Sequence, residues 1–367
     1  MNRLKKLEIR GWKSYSKVDL NLSRLNVLVG RNGAGKSNLI SLFKMFNELI
    51  GERLQSYVAT HGGSEALLHY GSRETPMIDV RFQFETETGE SRYCVRLVHA
   101  AIDALLFTEE RLEFHRLGFD QPQSDVLGAG HRETKLNREA NRGNDTARVI
   151  RGLVGSCRVF NFDDTSSTAR IRNRCYAQND RFLMPDAGNL PAMLARYQSQ
   201  SPETLEKIVE VVRQFFPGFD TFALESKPGQ ENYIRLNWKE VGNPHVFDAQ
   251  QIPDGTLRAI AMATLLLQPQ ENLPTVIILD EPEKGLDPLA ISVIAPLIEQ
   301  TSDRCQVIVA TQSSAFLDYF AAEDITVVER AEQETKLRRL TSEELDAWLD
   351  EYDMNEQWEE KPVGEAT

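Results

Sequence analysis

Gly30-Arg31-Asn32-Gly33-Ala34-Gly35-Lys36-Ser37 follows the apolar run Leu25-Asn26-Val27-Leu28-Val29 and leads into Asn38-Leu39-Ile40. The spacing is that of a phosphate-binding loop, G-x-x-x-x-G-K-[ST], set where a strand hands over to a helix. A phosphate site needs several backbone N–H groups aimed at one point, and glycine lets the chain turn tightly enough to aim them. The helix opening near Lys36 adds the positive end of its dipole. Lys36 supplies a point charge for the β/γ-phosphates, and Ser37 offers a hydroxyl to Mg²⁺. Gly30, Arg31, Asn32, Gly33, Ala34, Gly35, Lys36, Ser37 and Asn38 form the candidate nucleotide-binding set.

A second signature lies in the carboxyl half. Thr275-Val276-Ile277-Ile278-Leu279 is an apolar, β-branched run of the kind that forms a buried parallel strand. It ends in Asp280-Glu281-Pro282-Glu283, then Lys284-Gly285-Leu286-Asp287-Pro288. An acid at the carboxyl end of a strand beside the phosphate-loop strand is the Walker B arrangement, in which Asp280 holds Mg²⁺. Glu281 is placed to orient or deprotonate an attacking water. The Asp-Glu pair points to a hydrolase, and the absence of an N-K-x-D motif disfavours guanine nucleotides.

Composition sets the outer bounds. The 367 residues suit one large or two ordinary domains. No apolar run reaches the ~18 residues that span a membrane. The opening Met1-Asn2-Arg3-Leu4-Lys5-Lys6 lacks the apolar stretch of a signal peptide. The four cysteines lie far apart with no C-x-x-C pair, and the six histidines form no ligand-spaced cluster. A reducing cytoplasm is the expected home, without membrane contact. The formal charge of −13 opposes a wholly DNA-binding surface and leaves room for a local basic groove.

Between the two signatures stands Gln250-Gln251-Ile252-Pro253-Asp254-Gly255-Thr256-Leu257-Arg258, opening a helical run over 259–267. After Walker B come a helical pattern over 289–301, a strand over 307–310, and Thr311-Gln312-Ser313-Ser314. This order of motifs resembles the ATPase heads of the ABC superfamily, in its RecF/SMC/OLD-type branch. The nearest resemblance is to bacterial stand-alone RecF-like predicted ATPases, over most of the chain. Leu7-Glu8-Ile9-Arg10-Gly11-Trp12-Lys13-Ser14-Tyr15, Phe160-Asn161-Phe162-Asp163-Asp164-Thr165-Ser166, Asp186-Ala187-Gly188-Asn189-Leu190 and Leu345-Asp346-Ala347-Trp348-Leu349-Asp350-Glu351-Tyr352 share in it.

The resemblance implies an α/β fold: a P-loop, ABC-type ATPase head with flanking antiparallel strands and a helical or irregular insertion. It implies ATP and Mg²⁺ as ligands, and a homodimer with two ATP molecules sandwiched between copies. Asp254, Gly255 and Thr256 would begin a helix whose N–H groups face the partner's γ-phosphate. Residue by residue, Asp254 also reads as a plain N-cap. Glu281 and Gln312 are the catalytic candidates, Ser37 and Asp280 the metal candidates, and Arg10 and Lys13 further phosphate contacts. Three positions depart from the pattern. Pro253 stands where a serine usually precedes the glycine, which removes a hydroxyl and an N–H. Asp287 replaces the usual histidine of close relatives. Gln312 takes the switch position, where it hydrogen-bonds but cannot ionise. Slow turnover with intact binding is the expectation.

Four regions follow. Residues 1–117 form an amino-terminal lobe with the phosphate loop and hairpins, because 78–84, 93–99 and 105–114 alternate as antiparallel strands do. Residues 118–245 form an insertion, with a polar, glycine-bearing stretch over 118–148 expected to be a mobile surface excursion. Helical patterns return at 190–197 and 202–216, the latter with Ser201 as N-cap. Residues 246–340 form the carboxyl-terminal lobe with signature, Walker B and switch, and 341–367 a helical, acidic tail. No heptad stretch is long enough for an extended coiled coil, and no room follows the switch for a TOPRIM nuclease.

From Arg132 to Arg181 there are eleven Lys/Arg against six Asp/Glu, with Arg170, Arg172 and Arg174 on one face if extended. A nucleic-acid groove and a surface turned toward a partner or the nucleotide both fit. The leading function is an ATP-gated dimer that licenses a separate, nuclease-like effector in genome maintenance or anti-phage defence. The alternatives are a RecF-like repair ATPase acting directly on DNA and, more weakly, a transporter subunit.

Overall fold

The structure, a computed structural model, describes residues 2–100, 103–224, 232–345 and 347–349. Of the expected tail, Asp346 and residues 350–367 lie outside the described residues.

The chain opens with β1 (Arg3–Trp12), β2 (Tyr15–Asn21) and β3 (Leu25–Val29), then α1 (Lys36–Ile50), α2 (Leu54–Thr60) and α3 (Gly63–Leu67). Four strands follow: β4 (Met77–Thr86), β5 (Gly89–Ala100), β6 (Ala104–Arg116) and β7 (Gln123–Gly128). Next come α4 (Leu136–Asn141), α5 (Asp145–Gly155), β8 (Cys157–Phe160), β9 (Cys175–Tyr176), α6 (Leu190–Gln200) and α7 (Pro202–Phe215). The short strands β10 (Phe219–Phe222), β11 (Tyr233–Ile234), β12 (Asn237–Glu240) and β13 (Val246–Asp248) precede α8 (Asp254–Leu267). The chain then runs through β14 (Val276–Asp280), α9 (Pro288–Ser302), β15 (Gln306–Thr311), α10 (Ser314–Leu317), β16 (Ile325–Ala331) and β17 (Glu334–Arg339).

Two six-stranded sheets organise these elements. One is antiparallel, in the order β2-β1-β4-β5-β6-β7. The other runs β17-β16-β3-β15-β14-β8, parallel except for its edge strand β17. Each central parallel strand is buried on both faces, so its alternate residues enter different cores. Val27, Ile277, Leu279, Val307 and Val309 face one core, while Leu28, Val276, Ile278, Ile308 and Ala310 face the other. That is why the three strands read as unbroken apolar runs.

The first core lies between the parallel and antiparallel sheets, and α1 fills it. Leu39, Ile40, Leu42, Phe43, Met45, Phe46 and Leu49 form the helix's buried face. Phe46 meets Phe82 of β4 edge-on, with ring centroids 4.6 Å apart. The second core holds α6, α7, α8 and α9 against the opposite face of the parallel sheet. Trp238 is packed there between Phe216 and Phe247, at 4.8 and 4.6 Å.

Two expectations are corrected. Residues 118–148 are largely built structure: β7 pairs with β6, and Leu136, Ala140 and Ala147 are buried in the first core. The stretch reads as polar because most of it is solvated, Phe119 and Val126 included, while Leu136, Ala140 and Ala147 reach the core. The boundaries of the 118–245 insertion also fail, since β8 pairs in parallel with β14 as a member of the nucleotide sheet. Ser201 does occupy the N-cap of α7, though its carbonyl, not its hydroxyl, accepts the Thr204 N–H at 2.9 Å.

Because Phe82 packs against both Phe43 and Phe46 of α1, truncating that ring tests the packing. Phe82→Ala is expected to lower stability by about 3–5 kcal/mol. Equilibrium urea unfolding measures it, and a loss below about 1 kcal/mol would contradict this description of the core.

Candidate nucleotide-binding site

The parallel register brings the signatures together. Val29 pairs with Thr311, Ala310 with Asp280, and Leu279 with Phe160. Gly30, Gln312, Glu281 and Asn161 therefore leave the sheet along one edge.

The phosphate loop is braced by three segments: the turn over residues 12–15, β16 and β17. Gly33 and Gly35 take positive φ, +79° and +118°, as the tight turn requires. A Cβ on Gly35 would collide with Thr335, and one on Gly30 with the Val328 carbonyl, so both glycines also allow close packing. The Thr335 hydroxyl lies 2.7 Å from both the Ala34 carbonyl and Ser14 Oγ. The Tyr15 hydroxyl donates to the Gly35 carbonyl at 3.0 Å, and Trp12 Nε1 to the Asn38 carbonyl at 2.7 Å. The Asn38 amide reaches Ser14 Oγ at 2.8 Å, so this side chain serves the brace. Here the Trp12-Lys13-Ser14-Tyr15 turn finds its structural role.

Lys36 is buried, and its ammonium donates to the carbonyls of Gly30 and of Arg31, the latter at 3.2 Å. It lies folded back across the loop mouth. Helix α1 starts without a side-chain cap and with no acid in its first turn, which suits an anion at its N-terminus. Ser37 is exposed beside it. Lys13 instead donates to Ser41 Oγ at 3.0 Å, and Arg10 is engaged by Asp19 at 2.8 Å and the Val18 carbonyl at 2.9 Å. Arg10 is accordingly a strand-pairing residue here.

Asp280 closes β14. Burial pushes its carboxyl above the usual aspartate range; Lys44 opposes the rise, Glu281 and Asp163 add to it, and Lys36 opposes it too. Among the described residues no three His, Cys, Asp or Glu side chains gather as a metal site, so a divalent cation here would lean on Asp280, the Ser37 hydroxyl and the phosphates themselves. Glu281 turns off the strand in the left-handed region at φ +46°, with its N–H on the Ala310 carbonyl at 2.7 Å. Its carboxylate lies 3.3 Å from the Lys284 ammonium. Gln312 follows β15 directly, half-buried.

The signature segment stands differently from its sequence reading. Pro253 occupies the N-cap of α8, and Asp254 is the first helical residue. The Asp254 carboxylate is held at 2.5 Å by Arg172, which also donates to the Thr165 carbonyl at 2.6 Å, the Ile252 carbonyl at 3.0 Å and the Ala249 carbonyl. The expected row of three arginines on one extended face is absent. Arg172 is buried in a single turn of 3-10 helix, Arg170 pairs with Asp186 at 2.8 Å, and Arg174 lies over the Tyr233 ring at 4.8 Å. A Cβ on Gly255 would strike the Gly285 carbonyl of the same chain, so packing within the chain demands glycine there. Thr256 is buried.

Sequence reasoning passed over Asp163, Arg258 and Glu283. Arg258 donates to the carbonyls of Lys284 and Asp163, both at 2.6 Å. Asp163 comes three residues after β8, at the same end of the sheet as Glu281. Glu283, 8% exposed, accepts the Thr311 hydroxyl on Oε1, while its buried Oε2 has no hydrogen-bond partner. Burial lifts its pKa above the ordinary glutamate value, the Thr311 bond opposes this, and the Glu281 charge adds to it.

A raised folded-state pKa means that the native chain holds a proton the unfolded chain has released. Stability then falls as pH rises from the ordinary glutamate range through the folded value. Glu283→Gln keeps an acceptor for Thr311 and removes the ionisation. The variant is expected to exceed wild type in urea resistance at neutral pH, and the gap to close as pH drops below the glutamate range. A gap that stays flat with pH would contradict a buried, ionising Glu283.

Residues 25–318 match the family described as "AAA domain, putative AbiEii toxin, Type IV TA system". No curated protein matches the chain. Its fold is similar to that of an SMC head solved with the C-winged helix domain of ScpA, with a TM-score of 0.61 and 17% identity over 94% of this chain and 99% of that one. It is also similar to the SMC head with coiled coil and joint from Pyrococcus yayanosii (TM-score 0.56, 14% identity, 96% and 100% covered). The Pyrococcus furiosus head with an extended coiled coil, bound to the C-terminal domain of ScpA, gives 0.53 at 16% identity over 96% and 100%. The fold is thus that of a P-loop, ABC-type ATPase head, and the chain belongs to this family of AAA domains.

Proposed function

We propose that the chain binds and hydrolyses ATP, dimerises around it, and gates a separate effector in genome maintenance or anti-phage defence. The observation that carries this reading is the meeting of Lys36, Asp280, Glu281 and Gln312 along one sheet edge, with the signature helix start presented outward on the second lobe.

In this reading the β/γ-phosphates draw Lys36 off its two loop carbonyls and take the N-terminal amides of α1. Ser37 and Asp280 would hold Mg²⁺, which would offset the charge of the transferring phosphoryl group. Glu281 orients the attacking water and accepts its proton, with the Lys284 ammonium 3.3 Å away. Gln312 donates a hydrogen bond to the water or the γ-phosphate. Asp254, Gly255 and Thr256 start a helix aimed at the partner copy's nucleotide, while the Asp254 carboxylate is drawn back by Arg172.

The effector role draws on the family description and on the SMC heads solved with a bound ScpA domain. The kinship proposed is with the stand-alone RecF-like branch. Direct action on DNA has less support, because the basic stretch spends Arg170 and Arg172 on contacts within the chain. On the antiparallel sheet, Arg81, Arg92, Arg96 and Arg111 stand among Glu8, Asp79, Glu109 and Glu113, giving a face of balanced charge. Among the described residues no helix is long and apolar enough to cross a membrane.

Two variants test the reading. Lys36→Ala is expected to abolish ATP binding in isothermal titration, and unchanged affinity would sink the assignment. Glu281→Gln is expected to bind ATP, to lose hydrolysis by at least about a hundredfold, and to double its mass in light scattering when ATP is added. Wild-type turnover in that variant would place the base elsewhere, and a persistent monomer would overturn the sandwich.

A further inference from the structure

Away from the phosphate loop, the parallel sheet has an unfinished edge. β8 is its outermost strand, with β14 as its neighbour. The Ser156 carbonyl accepts the Val276 N–H at 3.1 Å, so Arg158 and Phe160 also bond inward. Cys157, Val159 and Asn161 therefore turn their backbone groups outward.

Both ends of that free edge are closed. The Asn47 amide of α1 donates to the Cys157 carbonyl at 2.8 Å, and the Asn161 N–H donates to the Pro185 carbonyl at 2.9 Å. Val159 lies between them, 7% exposed, and among the described residues its N–H and C=O have no hydrogen-bond partner. Buried backbone groups are seldom left so. With both sides stopped, a partner strand cannot be added, and whatever completes the edge is short.

The gap opens on a cavity of about 720 Å³ between α1, α2 and β8, within the size range of small-molecule sites. The acids of this cavity are engaged within the chain. Arg53 holds Glu48 at 2.6 Å, Arg170 holds Asp186 at 2.8 Å, and the Ser166 hydroxyl donates to Asp164 at 2.7 Å. Lys44 is not engaged in this way: among the described residues its ammonium makes no hydrogen bond or ion pair. It lines the cavity one turn before Asn47 on the same face of α1, which sets it beside Val159. A buried amide and an unpaired ammonium are both donors, and together they call for an oxyanion. From α2, His61 lies flat on Tyr57, ring centroids 3.8 Å apart at 15°, and is itself exposed. One face of the imidazole is left for a flat ligand.

We propose that this cavity binds a small, flat organic anion, whose carboxylate or phosphate group takes the Val159 N–H and the Lys44 ammonium. The site is separate from the phosphate loop and stands without the nucleotide reading. Asn161 and Asp164 also line it, and the Asp163 carbonyl between them is held by Arg258 of α8. A ligand there touches the segment that is tied to the signature helix.

The test titrates naphthoate and naphthyl phosphate into the full chain, with neutral naphthamide as control, and follows the naphthyl fluorescence. At least one anion is expected to saturate a single site, and the tighter of the two names the preferred group. Lys44→Ala, a change at an exposed side chain, is expected to weaken that anion roughly tenfold, whereas Lys36→Ala is expected to leave it unchanged. With valine nitrogens labelled for NMR, the Val159 amide is expected to shift during the titration. Saturation by neither anion, equal binding of naphthamide, or an unmoved Val159 amide would overturn the site. So would wild-type affinity in Lys44→Ala, or a loss in Lys36→Ala, which would move the probe to the phosphate loop.

Discussion

Parallel strands end along a common edge, and every chemical group in this chain depends on that constraint. Register places Gly30, Gln312, Glu281 and Asn161 side by side although as many as 282 positions separate them in sequence. Ligand sites of open α/β sheets lie outside the carboxyl ends of the strands for this reason. Burial on both faces makes the register firm, because a slip of one residue would send each side chain into the wrong core. Val307 and Ile308, facing opposite cores, illustrate the penalty.

Precision at that edge comes from contacts that crowd the loop from below. Thr335, Ser14, Tyr15 and Trp12 reach the loop or the first turn of α1, and each hydrogen bond is buried or nearly so. Such bonds are costly to leave unmade, which holds the amides in place before any ligand arrives. Preorganisation of this kind raises affinity by reducing what must be ordered on binding. The strained Glu281, at φ +46°, belongs to the same economy: its direction is set by the backbone bond to Ala310 and by the sheet behind it.

Much of this was legible where the chemistry is local. The eight residues of the phosphate loop carry their own turn, helix start and charge, so pattern alone placed them; the same holds for the strand ending in Asp280 and for the helices over 202–215 and 288–302. What escaped depends on residues distant in sequence. No local signal announces that Thr335 will brace Gly35, or that Arg172 will reach Asp254, 82 positions away. Arg170, Arg172 and Arg174 would share a face only in an extended segment, whereas Thr165, Ala249 and Ile252 supply carbonyls that a buried turn brings to the Arg172 guanidinium. Residues 118–148 read as polar because composition averages over the whole stretch, although Leu136 and Ala147 are buried in the first core.

The same long-range contacts join two regions that sequence order keeps apart. Arg258 stands one turn into α8 and ties the carbonyls of Lys284 and Asp163, so the signature helix, the loop after Walker B and the segment after β8 share one guanidinium. The Gly255 backbone packs so closely on Gly285 that no side chain fits between them. A displacement of the acids around Asp280 is therefore transmitted to the start of α8 through hard contacts and hydrogen bonds in the same chain. In the proposed dimer around ATP, that helix would face the partner's nucleotide. The packing at Gly255 and the fork of Arg258 would thus make each site's state felt at the other, a coupling that follows from close packing in one subunit and needs no moving part beyond it.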